Sequence, residues 1–202
     1  MLSIRRMFPF VALLTLAVIA SLSIVQSKVN GTGGSTVSSK RLMKEFNRFQ
    51  ESDIYKNGVF KVQLVEDNLY EWQVEIFKVD PESRLHKDLQ ELKKKGKRDY
   101  IVLRLSYPDN YPLSPPLARV VYPFLEGRVL DGGAICLELL TNQGWSSAYT
   151  IEPLILQIIA SLQWAYVDPN RDVDQEYTYE EAKKTYDQYL DKLKVWSPKP
   201  NH

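Results

Sequence analysis

Three features of this sequence predict an α+β fold. Short runs of alternating apolar residues follow one another closely, a strongly apolar helical stretch comes after them, and amphipathic helical stretches stand on either side. The first helical stretch is Lys40–Gln50, with Leu42, Phe46 and Phe49 on one face and Ser38 or Ser39 as its cap. Phe60, Val62 and Leu64 then alternate with polar neighbours. Trp72, Val74 and Ile76 do so opposite Glu71, Gln73 and Glu75. Ser83–Lys95 places Leu85, Leu89 and Leu92 at helical spacing. Ile101, Leu103 and Leu105 form a third strand, and Leu117–Tyr122 a fourth. Short successive strands predict an antiparallel meander. Thr150–Ala165 reads as a buried helix, opened by Thr150 and Pro153 and packed through Leu154, Ile158, Ile159 and Leu162. A last helix starts at Thr178. Thr178 and Glu181 have capping-box spacing, and Ala182, Tyr186, Tyr189 and Leu193 supply its stripe. No internal repeat interrupts this order.

Residues 1–27 differ from the rest. Arg5 and Arg6 precede an uncharged, apolar run from Met7 to Ser27. That run approaches the roughly 20 residues needed to span a bilayer, and it also resembles a signal peptide with small residues at Ala20 or Ser27. Its length favours an uncleaved, single-pass N-terminal anchor through residues 7–27 over secretion after cleavage. Arg5 and Arg6 argue for a cytosolic N-terminus, whereas Lys28, Lys40, Arg41 and Lys44 argue for a cytosolic domain. Residues 28–38 read as a linker, the Gly/Ser/Thr-rich part being Asn30–Ser39, and residues 39–199 as the folded domain.

The formal net charge of +1, from 26 basic and 25 acidic residues, leaves no basic surplus to attract nucleic acid. A single cysteine, Cys136, excludes an internal disulfide. It lies in Asp131-Gly132-Gly133-Ala134-Ile135-Cys136-Leu137, where two glycines leave room for a partner to approach. A cysteine hydrolase needs a base, normally histidine, and only His86 and His202 are available. The same shortage leaves a metal site without a ligand set. No phosphate loop or nucleophile elbow is present. By composition Cys136 is either a buried structural thiol or a nucleophile that accepts an activated acyl group and hands it on.

A resemblance decides between them. Tyr107-Pro108-Asp109-Asn110-Tyr111-Pro112-Leu113-Ser114-Pro115-Pro116 closely matches the signature of ubiquitin-conjugating domains. The family's later features follow in order: a fourth strand at Leu117–Tyr122, the Gly133–Leu137 run, Trp145, and the helix at Thr150–Ala165. Gly132–Tyr149, the helix between strands two and three, and the C-terminal helix ending Trp196-Ser197-Pro198 resemble the Q-type ubiquitin-conjugating enzymes, over roughly Ser39–Lys199. The resemblance implies a UBC fold: a four-stranded antiparallel meander with an N-terminal helix, a central buried helix and a C-terminal helix. It also implies ubiquitin held as a glycyl thioester on Cys136, loaded by an activating enzyme and passed to a substrate lysine or a ligase cysteine. No cofactor is implied for this chain, because ATP is used by the activating enzyme. The implied partners are ubiquitin, the activating enzyme, a ubiquitin ligase and protein substrates.

Two departures from the family pattern stand out. The family's asparagine about eight residues before the cysteine is absent, as it also is from Q-type enzymes; Arg128 stands there, and oxyanion support falls to backbone N–H groups near Cys136, to His86 or to Arg128 itself. Asp168-Pro169-Asn170 resembles the family's acidic loop but lies about three residues too far along, and an ordinary turn is the competing reading. The implied ligase-facing surface combines the first helix with Leu113, Ser147 and Ala148, whose plain alternatives are loop filler and helix-capping context. Trp72 and Trp145 read as packing residues. A non-catalytic RWD-like binding module shares the meander and the proline loop. The Gly-Gly-Ala-Ile-Cys-Leu context argues against it.

Overall fold

The computed structural model of the chain describes residues 35–173 and 175–196. Helix α1 (Thr36–Arg48) runs into a 3-10 turn at Phe49–Glu51 and then a one-turn helix, α2 (Asp53–Lys56). Strands β1 (Phe60–Val65) and β2 (Asn68–Ile76) form a hairpin, and α3 (Arg84–Lys94) follows, capped by the Ser83 hydroxyl. Next come β3 (Ile101–Ser106), β4 (Leu117–Tyr122) and a two-residue strand, β5 (Leu125–Glu126). Helix α4 (Ile151–Leu162), a second short strand β6 (Tyr166–Val167) and α5 (Tyr179–Trp196) complete the order. The main sheet has four strands in the order β1-β2-β3-β4, all antiparallel, and β5 pairs with β6. This is the α+β meander expected.

Register follows the side-chain alternation. Trp72 stands opposite Leu64 and Leu105, Val74 opposite Val62 and Leu103, and Ile76 opposite Phe60 and Ile101. A one-residue slip would turn each of these rows out of the core. The strand residues join Ile151, Leu154, Ile155, Ile158 and Leu162 of α4 and Leu85, Leu89 and Leu92 of α3 in one buried apolar cluster. Trp72 is fully buried, as a packing residue should be. Its ring meets Phe46 edge-on at 5.4 Å and Tyr107 at 4.8 Å.

Two expectations need correction. Helix α1 begins at Thr36, inside the stretch read as linker, and its cap is Ser35 rather than Ser38 or Ser39. The buried Ser38 hydroxyl instead donates to the carbonyl of Asp109 at 2.8 Å and contacts that of Tyr111 at 2.5 Å. Tertiary contacts here override a weak helix propensity. The second correction concerns localisation. Among the described residues no helix is long and apolar enough to cross a membrane, and residues 1–27 lie outside them. The expected single-pass anchor, its secreted alternative and the membrane as partner therefore find no support among the described residues.

Candidate active site

Past β4 the chain turns, pairs briefly as β5, and returns so that residues 134–136 lie between two backbone segments. On one side the Ile135 N–H donates to the Ala118 carbonyl at 2.9 Å, and the Val120 N–H to that of Gly133 at 2.8 Å. On the other, the Leu130 N–H donates to Ala134 at 2.8 Å, and the Cys136 N–H to Arg128 at 3.2 Å. Ala134 and Ile135 are fully buried, while Cys136 is half-buried at the end of this clamp. The glycines make the return possible. Gly133 has φ +91°, and a Cβ there would lie 2.6 Å from the Val120 carbonyl oxygen and 2.7 Å from the Tyr177 ring. A Cβ on Gly132 would meet the Glu181 backbone of α5 at 2.7 Å.

After Cys136, Leu137 enters a 3-10 turn at Glu138–Leu140. The buried Thr141 hydroxyl closes the turn, donating to the Glu138 carbonyl at 2.8 Å and accepting the Gly144 N–H at 3.2 Å. The Trp145 indole donates to the Pro112 carbonyl at 2.8 Å, which ties this turn to the proline loop. Helix α5 lies alongside. Its Tyr186 hydroxyl donates to the Leu140 carbonyl, and Tyr189 follows three residues on along the same helix. The two tyrosine rings stand 6.3 Å apart. Burial first, then the influence of Cys136, pushes the Tyr189 hydroxyl up to about 12, and burial pushes Tyr186 up as well. Both hydroxyls therefore keep their protons across the neutral range.

The expected site residues fall into two groups. Arg128 meets Cys136, but through its backbone carbonyl, which is an acceptor, while its side chain is exposed. His86 lies in the first turn of α3, where its N–H donates to the Ser83 hydroxyl. No hydrogen bond, ion pair or ring contact joins it to Cys136 among the described residues. Asp168 is held in a turn. Its carboxylate accepts the Asn170 N–H at 2.8 Å and lies 3.7 Å from Arg171, so the ordinary-turn reading fits its geometry. The partner-surface residues are brought together. Leu113 is 75% exposed in the proline loop, and Ser147 and Ala148 are exposed after Trp145. Arg41 of α1 donates to the carbonyls of Ser147 at 3.2 Å and Tyr149 at 2.7 Å, joining the first helix to the second loop.

Four residues at or behind this site escape a reading of the sequence. Tyr186 and Tyr189 read as members of an apolar stripe, and their polar tips at an i, i+3 spacing are the available signal. Arg41 and Glu45, an i, i+4 pair on an amphipathic helix, look like solvated surface until the buried contacts of Glu45 are seen.

A half-buried cysteine clamped beside a four-stranded meander and a proline loop is the arrangement of a ubiquitin-conjugating domain. The family model described as "Ubiquitin-conjugating enzyme" matches residues 41–194, and the chain belongs to that family. Its Q-type character is borne out by relatives. The chain is 52% identical over 139 residues to ubiquitin-conjugating enzyme E2 Q1 of Mus musculus and equally to that of Homo sapiens, covering 68% of this chain and 33% of each relative. It is 43% identical over 152 residues to ubiquitin-conjugating enzyme E2 25 of Caenorhabditis elegans, covering 74% of this chain and 39% of that one. The chain thus spans about a third of the length of the mouse and human relatives. The solved structure of human ubiquitin-conjugating enzyme E2 G1 shares the fold, with a TM-score of 0.50 and 21% identity, covering 64% of this chain and 98% of that one.

Proposed function

We propose that the chain accepts ubiquitin from an activating enzyme as a thioester on Cys136 and transfers it to a substrate lysine or a ligase cysteine. The observation that carries this reading is the setting of Cys136, half-buried at the end of a backbone clamp that hydrogen-bonds on both flanks. In transthiolation the Cys136 sulfur attacks the carbonyl carbon of ubiquitin's terminal thioester, a new C–S bond forms, and the activating enzyme's thiolate leaves. The step exchanges one thiolate for another and needs no dedicated base. The clamp holds the cysteine backbone still, which keeps the sulfur aligned for attack. Leu113, Ser147 and Ala148, with α1, offer an exposed face for the ligase, and Trp145 and Arg41 hold its parts in register.

Incubated with activating enzyme, ATP and ubiquitin, the chain should form a reductant-sensitive adduct. Cys136→Ala should abolish it, and Cys136→Ser should give a reductant-resistant ester. An adduct that survives in Cys136→Ala overturns the reading.

A further inference from the structure

Trp164, in the turn after α4, keeps 68% of its surface in water, and its ring meets no other ring or cation among the described residues. One exposed aromatic says little by itself, but this one lines a groove of about 360 Å³ whose opposite wall is acidic. That wall is the turn leading into α3. The buried Ser83 hydroxyl fixes it by donating to the Asp80 carbonyl at 2.6 Å, and the Asp80 carboxylate accepts the Glu82 N–H at 2.9 Å. Asp80 and Glu82 are both exposed, and neither has an ion-pair partner among the described residues. The cation lining the groove, Arg84, is engaged elsewhere. Its guanidinium lies 4.0 Å over the Tyr166 ring and 3.9 Å from the Asp88 carboxylate. A bare indole face beside two unpaired carboxylates suits a lysine or arginine side chain, with its apolar stem on the ring and its charge against the acids.

Position says what brings that side chain. A Cβ on Gly127 would lie 2.6 Å from the Trp164 carbonyl oxygen. The next residue, Arg128, holds the Cys136 N–H through its carbonyl at 3.2 Å. The groove thus adjoins the clamp that presents the thiol. The ligase face meets the other end of α4, where Ser147 and Ala148 precede Ile151, and the 12 residues of that helix set the two about 18 Å apart. A ligase seated there leaves the groove open.

We propose that this groove docks a basic segment of the protein substrate, an arginine or lysine near the acceptor lysine stacking on Trp164 and pairing with Asp80 and Glu82. The proposal rests on Cys136 being the thioester-bearing residue, and it adds the class of substrate that the site serves. An acidic segment is rejected at the same place, because it sets like charges against Asp80 and Glu82. The groove takes no part in bond-making. It raises the local concentration of the acceptor amine at the thioester, so its effect falls on substrate binding.

The test uses the full chain, loaded with ubiquitin and chased with N-acetylated peptides of equal length that carry a single central lysine. Arginines flank that lysine in one peptide and glutamates in the other. The arginine-flanked peptide should reach its half-maximal discharge rate at a concentration about tenfold lower. Trp164→Ala should raise that concentration about fivefold, and Asp80→Asn combined with Glu82→Gln by at least as much. Trp164→Phe, which keeps a ring face, should recover most of the loss. A fluorescent label on the arginine-flanked peptide reports its binding to the unloaded chain by anisotropy, and the same variants should weaken that binding by the same factor. Equal half-maximal concentrations for the two peptides overturn the proposal, as does a Trp164→Ala value within about 1.5-fold of the parent. A loss confined to the maximal rate overturns it too, by showing that Trp164 acts on the thiol clamp through Gly127. If the parent chain takes no thioester on Cys136, the proposed function itself fails, and the anisotropy shows separately whether the groove holds a basic segment.

Discussion

The carboxylate of Glu45 in α1 accepts the backbone N–H of Ile151 at 2.6 Å, so a side chain of the first helix caps α4. Thr150, the residue expected to do so, makes no side-chain cap bond. Glu45 is 4% exposed and also receives the Tyr111 hydroxyl at 2.8 Å and the Arg41 guanidinium. One carboxylate thus joins α1, the proline loop and α4, and through Arg41 the loop bearing Ser147 and Ala148. The face proposed for the ligase and the helix behind the thiol turn share this one anion.

Removing that anion should be costly. Glu45→Ala strands the Tyr111 hydroxyl and the Ile151 N–H in a buried site, and a loss of about 3 kcal/mol is expected. Arg41→Ala should cost less, about 1 kcal/mol, because the guanidinium is partly in water. Urea unfolding of both variants measures the pair. Equal losses would show that the ion pair, and not the buried bonds, dominates.

What the sequence makes legible follows from periodicity. The strands are readable because Trp72, Val74 and Ile76 alternate with polar and charged neighbours, and that alternation sets which face is buried. The loop of Cys136 is readable because paired glycines stand just ahead of a lone thiol. The start of α1 is not, since Ser35–Ser39 reads as linker until Ser38 reaches the proline loop. Strands β5 and β6 are too short, at two residues each, for any pattern to show. Glu45 and Tyr186 are missed for a common reason. Each is a polar group whose partner lies far away in sequence, and local pattern carries no sign of such pairs.

The β1–β2 hairpin offers a test of backbone strain. Glu66 and Asp67 fill its two-residue turn with φ +50° and +57°, the left-handed pair that a type I′ turn requires. Glu66 is poorly suited to it, and Asp67 adopts it less readily than glycine would. Asp67→Gly should stabilise the chain by about 0.5–1 kcal/mol, because glycine adopts this conformation without a Cβ penalty. An unchanged or lower urea midpoint would show that the Asp67 side chain compensates the strain.

Glu71 on β2 should make stability pH-dependent. Burial raises its pKa above the ordinary carboxylate value, against the opposing pull of the Ser106 hydrogen bond at 2.8 Å and of Arg119 and Arg104. The folded state therefore holds this proton more tightly than the unfolded state. Below the unfolded value, about 4.3, both states are protonated and the full contribution is present. As pH rises through the unfolded and then the folded value, that contribution is lost. Measured by urea unfolding, Glu71→Gln should gain on the parent from about the unfolded value up to the folded one and then stay level. A parent that gains on Glu71→Gln over the same window would mean that the arginines outweigh burial.

The last expectation concerns the loop that presents the thiol. Gly133 combines φ +91° with a Cβ position 2.6 Å from the Val120 carbonyl oxygen and 2.7 Å from the Tyr177 ring. The first contact is with strand backbone, which has nowhere to move, because the Val120 N–H is itself bonded to the Gly133 carbonyl at 2.8 Å. Gly133→Ala therefore adds a left-handed backbone cost of roughly 1–2 kcal/mol to an overpacking cost of about the same size, some 3 kcal/mol together. The clamp can relieve this only by loosening the Ile135 and Cys136 bonds, so the thiol loses its alignment as the loop loses stability. Expected results are a melting temperature lower by roughly 6–12 °C and slower thioester formation at a temperature where the variant is still folded. Thioester formation at the parent rate in a folded, destabilised Gly133→Ala would show that the clamp serves stability alone and that Cys136 needs no fixed backbone.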